Sequence, residues 1–224
     1  MRTLIALIMV AALCLFSTSL SAAQGQSCVA LTFDDGPHAV LTPRLLDMLD
    51  AERVRATFFV VGENVLAFPD IVRRAQVQGH DVENHSMHHP QKFPFLSSAA
   101  IKAEMDNGAA AIERVLKMKP RLMRTPGGAW TGRVREVLGG RTNILWTVDP
   151  EDWKPQNRNA GHITRYVLSH VSKPVEIVLL HDIRKTTVDA VPAIIRGLKA
   201  RGARFVTVSE LQAGACSGAH ARVQ

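Results

Sequence analysis

Short apolar, β-branched runs alternate along this chain with longer stretches whose apolar residues recur every three to four positions. The compact runs predict strands at Val29–Phe33, Ala56–Val61, His80–Glu83, from Arg121 to Met123, Asn143–Val148, Glu176–Leu180 and Arg204–Val208. The 3.6-residue spacing predicts helices at Thr42–Arg53, Phe68–Gln78, Ser97–Met118, Arg133–Leu138, Ile163–Val171 and Val191–Ala200. Local signals mark several helix ends. Pro69 opens one helix and Gly79 follows it. Ser97 or Ser98 caps the longest, Gly139-Gly140 ends a short one, and Pro192 fits a first turn. Strands separated by helices predict a parallel sheet. Seven such units suggest a closed or nearly closed α/β barrel in a single domain, with βα loops gathered on one rim.

Composition changes this picture only at the ends. With 224 residues and 46% apolar content, the chain is long enough for one full core and is not of disordered type. Arg2, the apolar run Leu4–Phe16 and the small residues Ser21-Ala22-Ala23 predict a secretory signal peptide over residues 1–23. The apolar run is shorter than the roughly 20 residues of a spanning helix, so no stable membrane anchor is expected. A single mature domain then covers residues 24–224, and the expected location is periplasmic or secreted. The formal charge of +7 drops by one when Arg2 leaves. Lys and Arg are spread along the chain, which fits a basic solvated surface, and no nucleic-acid partner is expected. Cys14 lies in the leader. Cys28 and Cys216 flank the domain, and in an exported chain they read as a disulfide.

Five polar motifs each follow a predicted strand. Asp34-Asp35-Gly36-Pro37 presents two carboxylates in a turn; alone, it also fits a surface turn. His85 and His89 lie four apart, so one helical turn or a helix-like loop brings both imidazoles to one ion, with His88 as a competitor. Arg124, in Arg124-Thr125-Pro126-Gly127-Gly128, carries a permanent charge with fork geometry for a carboxylate. Asp149-Pro150-Glu151-Asp152-Trp153 places an acid beside an indole, and Leu179-Leu180-His181 adds another imidazole. Two histidines and one aspartate leave open positions on a metal, as catalysis requires.

The order and content of these motifs resemble carbohydrate esterase family 4, the polysaccharide deacetylases with a NodB homology domain, from about Val29 to about Leu211. The resemblance implies a distorted (β/α)7 barrel. It also implies a metal-dependent hydrolase acting on an acetylated glycan, an N-deacetylase of peptidoglycan, chitin oligomers or an exopolysaccharide. O-deacetylation of xylan and an inactive glycan-binding domain are the alternatives. By the same resemblance Asp34 is the general base, and Asp35, His85 and His89 hold the ion. Zn2+ is the implied metal, with Co2+ or another divalent ion as the alternative. Pro90 matches the family form and favours His89 over His88. Arg124 holds Asp34 ionised, the Gly127 N–H stabilises the oxyanion, Trp153 and Leu179 line a methyl pocket, and His181 protonates the leaving amine. Asp152 orients either His181 or Arg124. Gly127 departs from the family, where a tyrosine is usual. A monomer is expected.

Overall fold

The computed structural model describes residues 27–216. The leader assigned to residues 1–23 lies outside the described residues, as do both ends of the 24–224 domain. Seven parallel strands and eight α-helices alternate. The strands are β1 (Cys28–Asp34), β2 (Thr57–Val60), β3 (Asp81–Asn84), β4 (Leu122–Met123), β5 (Thr142–Asn143), β6 (Val175–His181) and β7 (Arg204–Phe205). The helices are α1 (Leu41–Ala51), α2 (Gly62–Ala67), α3 (Pro69–Val77), α4 (Ser98–Leu116), α5 (Gly132–Leu138), α6 (Ala160–His170), α7 (Lys185–Lys199) and α8 (Val208–Gln212).

The sheet runs β5-β4-β3-β2-β1-β6. A parallel bridge from Val148 to Val178 of β6 returns the chain to the far edge and closes the ring. β7 pairs with the start of β1, at Cys28 and Val29, while β2 pairs with its end, at Thr32 to Asp34. The result is the distorted (β/α)7 barrel.

Period-two alternation on β1 divides the molecule. Val29, Leu31 and Phe33 point outward and pack with Leu45, Leu46, Leu49, Val191 and Ile195 of the surrounding helices. Cys28 and Ala30 point inward, where Phe59, Leu122, Ile144, Ile177 and Val206 fill the lower barrel. The same inward row continues as Thr32 and Asp34, both buried. The upper barrel is therefore polar, above an apolar plug.

Three expectations change. The strand expected over Asn143–Val148 shrinks to the two-residue β5, Thr142–Asn143, because the carbonyls of Ile144 and Leu145 turn toward the Arg124 guanidinium (2.9 and 3.5 Å). The last strand stops early because Thr207 caps α8 in a capping box with Glu210. α7 begins at Lys185, which puts Pro192 inside it. The lost backbone bond is outweighed by burial of Val188, Val191, Ile194, Ile195 and Leu198, each contributing about 1.5–3 kcal/mol. α2 and α8 were not expected from periodicity; both are too short for it to register.

Cys28 and Cys216 are joined as a disulfide, 188 residues apart in sequence. The β7–β1 pairing brings the two ends of the domain together for it. Among the described residues no helix is long and apolar enough to cross a membrane.

Candidate active site

The end of β1 supplies both carboxylates by a change of backbone conformation. Asp34 is the last strand residue and points inward, and Asp35 adopts a left-handed φ of 73°. The strand rule that would send Asp35 to the opposite face is thereby broken. Gly36 is required next. A Cβ there would lie 2.4 Å from both carboxylate oxygens of Asp182, which is fully buried beneath the turn.

Arg124 is wholly buried and holds Asp34. Its Nη1 donates to Asp34 Oδ1 at 2.6 Å and to Thr32 Oγ1 at 2.9 Å, and its Nε donates to Ile144 O. The guanidinium lies over the Phe59 ring, 4.2 Å from the centroid. Burial lowers its pKa and the Asp34 carboxylate opposes that.

His85 and His89 do not share a helical turn. They converge through a bend in which Ser86 and His89 both have positive φ (68° and 50°). The bend is held from outside. Gly62 and Glu63 at the start of α2 donate to Ser86 O and Met87 O, and Ser86 Oγ accepts from His89 N. Asn84 donates to Met105 O and accepts from Ser86 N, tying the loop to α4. His85 Nδ1 contacts Arg124 O at 2.7 Å, which leaves Nε2 facing the carboxylates. That Nε2 lies 3.6 Å from Asp34 Oδ2 and 3.5 Å from Asp35 Oδ1, and His89 Nε2 lies 3.6 Å from the same Asp35 oxygen.

One ligand atom from each of Asp35, His85 and His89 lies within 4.8 Å of the others. Asp35 Oδ1 is buried with no hydrogen-bond partner. An orphaned carboxylate oxygen facing two imidazole nitrogens fits a divalent cation, and the donor set suits zinc. Burial would raise the Asp35 pKa, but the hydrogen bond and charge of His85, with His181 and His89, pull it well below the carboxylate range. Burial and neighbouring His85 lower the pKa of His89, which favours its neutral form. His88 turns away: its Nδ1 pairs with Glu104 at 2.9 Å on the surface.

His181 closes β6 opposite Asp34 in the β1–β6 register. Asp152, fully buried, contacts its Nδ1 at 2.6 Å and accepts its backbone N–H at 3.0 Å. Thr187 Oγ1 donates to the same Asp152 carboxylate at 2.6 Å. The open question of Asp152's partner is thus answered: it serves His181, not Arg124. Burial lowers the imidazole's pKa, but the Asp152 hydrogen bond and charge, with Asp34 and Asp35, push it up to about 9. Asp149 forms the turn before Asp152 by accepting Glu151 N at 2.7 Å.

Gly127 sits in a short 3-10 turn with φ 61°. Its N–H meets no protein acceptor among the described residues, whereas Gly128 and Ala129 donate to Thr125 O and Pro126 O. Leu179 is buried on the inward face of β6, level with Thr32. Trp153 is 44% exposed, with Lys154 Nζ 5.1 Å from its ring centroid, so it belongs to the rim and not to the core.

Sequence reasoning missed Asp182, whose partner is the Thr42 hydroxyl on α1. Burial pushes the Asp182 carboxyl up to about 7. Its position after His181 was a signal for it. Thr32, Asn84 and Thr187 carry no pattern that singles them out.

The polysaccharide deacetylase family profile matches residues 21–140, more than half of the chain. A peptidoglycan-N-acetylglucosamine deacetylase of Listeria monocytogenes is 40% identical over 183 residues, covering 82% of this chain and 38% of that protein. The chain therefore spans well under half the length of that relative. A chitooligosaccharide deacetylase of Bradyrhizobium is 40% identical over 161 residues, covering 70% of this chain and 72% of the relative. Among solved structures, the peptidoglycan deacetylase PdaC from Bacillus subtilis superposes with a TM-score of 0.78 at 36% identity, covering 84% of this chain and 91% of that one. With this barrel, these five strand-end motifs and these matches, the chain belongs to the polysaccharide deacetylase family of hydrolases.

Proposed function

We propose that this protein is an exported, zinc-dependent N-deacetylase of a glycan built on N-acetylglucosamine, of the peptidoglycan or chitin-oligomer type. One observation carries the reading: the Asp35, His85 and His89 cluster lies between an aspartate held by a buried arginine and a histidine held by a buried aspartate. A divalent ion held by those three side chains would polarise the acetamide carbonyl and make water a better nucleophile at neutral pH.

The chain's own groups do the rest. Asp34, fixed by Arg124 at 2.6 Å, accepts a proton from the attacking water. The free N–H of Gly127 donates to the oxyanion of the tetrahedral intermediate. His181, with Nδ1 engaged by Asp152, presents Nε2 and gives its proton to the departing sugar nitrogen as the C–N bond breaks. Acetate and a free amine leave. Trp153 and Leu179 border the acetyl methyl. Export is supported by the leader pattern and by the Cys28–Cys216 pair, which suits an oxidising compartment.

The test is acetate release from chitin oligomers, peptidoglycan and acetylated xylan, with and without a chelator. Chelator-sensitive release from the first two supports the reading. Release from xylan alone makes the protein an O-acetyl esterase, and no release makes it a binding domain.

A further inference from the structure

Phe95 is 84% exposed, the second most exposed large apolar side chain among the described residues. It stands in the 3-10 turn Phe93–Phe95, five residues beyond the histidine loop. Its surroundings are rigid. Phe93 is completely buried with Ile101, Met105, Met123 and Val134, and Leu96, Ala129 and Trp130 pack against that cluster. Arg133 on α5 donates Nη1 to Pro94 O at 2.9 Å and Nη2 to Leu96 O at 2.5 Å. One guanidinium thus grips the backbone on both sides of the exposed ring. The turn belongs to the same β3–α4 loop that carries His85 and His89, and its buried Phe93 shares a cluster with Met123, against which Ala129 and Trp130 of the β4–α5 segment pack; βα loops of a barrel gather on one rim. Phe95 therefore lies on the catalytic rim. Nothing in the fold needs a phenyl ring there, since its backbone is held without it.

We propose that Phe95 is a stacking platform for a sugar ring of the glycan, one or more units away from the residue being deacetylated. Pyranose rings expose a face of C–H groups that packs on an aromatic ring, and a rigid, desolvatable phenyl is a better platform than a mobile side chain. This inference rests on the glycan deacetylase reading. Occupancy by a sugar, and not by a protein, follows from the shared loop: Phe95 stands on the segment that carries two of the three side chains of the metal cluster. The fixed backbone predicts that the ring contributes to binding and not to chemistry.

The test compares binding of chitin oligomers, from dimer to hexamer, by calorimetry on zinc-loaded protein in an Asp34→Asn background, whose turnover is lowered about 10²–10⁴-fold. Acetate release by the unmodified enzyme is followed in parallel. Phe95→Ala should weaken hexamer binding about 3–10-fold, the range of a single aromatic contact, and leave the dimer within twofold. Phe95→Trp should restore the hexamer. Hexamer affinity unchanged in Phe95→Ala, or a dimer weakened as much as the hexamer, overturns the platform. Absence of acetate release by the unmodified enzyme would instead overturn the deacetylase reading, while the binding series still decides the role of Phe95.

Discussion

Replacing Asp152 with asparagine tests how His181 keeps its proton. In the folded protein the Asp152 carboxylate contacts His181 Nδ1 and also accepts from His181 N and Thr187 Oγ1. An asparagine whose oxygen takes over the last two bonds must turn its amide NH2 toward Nδ1. The ring then has to accept there, and the imidazolium is no longer favoured. With Asp152 the pKa is about 9, against 6.5 for an ordinary histidine. The difference corresponds to about 3 kcal/mol of preference for the protonated form. If only the protonated ring can serve as acid, kcat/KM for Asp152→Asn should fall about 30-fold at pH 8 and less than about twofold at pH 6. The alkaline limb of the pH–rate profile should move from near 9 toward 6.5. Stability follows with the same sign. The folded chain binds this proton more tightly than the unfolded chain, so the contribution is fully present below about 6.5 and is lost as pH rises through 9. The assay is acetate release from a chitin oligomer across pH 5.5–10, with urea midpoints at both ends. A variant whose alkaline limb coincides with that of the native enzyme would refute the reasoning.

Asp34→Asn should lower turnover about 10²–10⁴-fold with metal still bound, checked by acetate release and metal analysis on the same sample. His89→Ala should lose most bound zinc by metal analysis, whereas His88→Ala, which disturbs only a surface pair with Glu104, should keep it. Gly108→Ala should reduce zinc affinity although helix propensity favours alanine by up to about 1 kcal/mol. Its Cβ would lie 2.4 Å from Asn84 Oδ1 and 2.6 Å from the Ser86 carbonyl, beside His85 of the candidate metal cluster; a competition titration with a chelating dye reads the change. Cys28→Ser should lower stability by up to about 5 kcal/mol, given the 188-residue separation, read from denaturant unfolding against the native protein with its bridge intact.

What the sequence by itself determined was local. Compact apolar, β-branched runs located all seven strands and period-3.6 patterns most helices, because such runs suit a buried strand and side-chain direction along a helix repeats at fixed intervals whatever the helix packs against. The motifs Asp34-Asp35, His85 to His89, Arg124 and His181 were legible as strand-end chemistry, and the barrel places strand ends together. The patterns failed where a distant group claims the backbone. β5 ends at Asn143 because Arg124, about 20 residues away, draws the carbonyls of Ile144 and Leu145. α7 runs through Pro192 because its apolar face is buried against the barrel. The pairing of Arg124 with Asp34, 90 residues apart in sequence, was already implied by the family resemblance, and only the tertiary structure decided that Asp152 contacts His181 and not Arg124. It alone set Asp182 under Gly36 and Asn84 against α4 at Gly108. These contacts depend on ring closure and on which strands become neighbours. Burial then sets their energy, since a carboxylate or guanidinium withdrawn from water must find its partner inside the barrel.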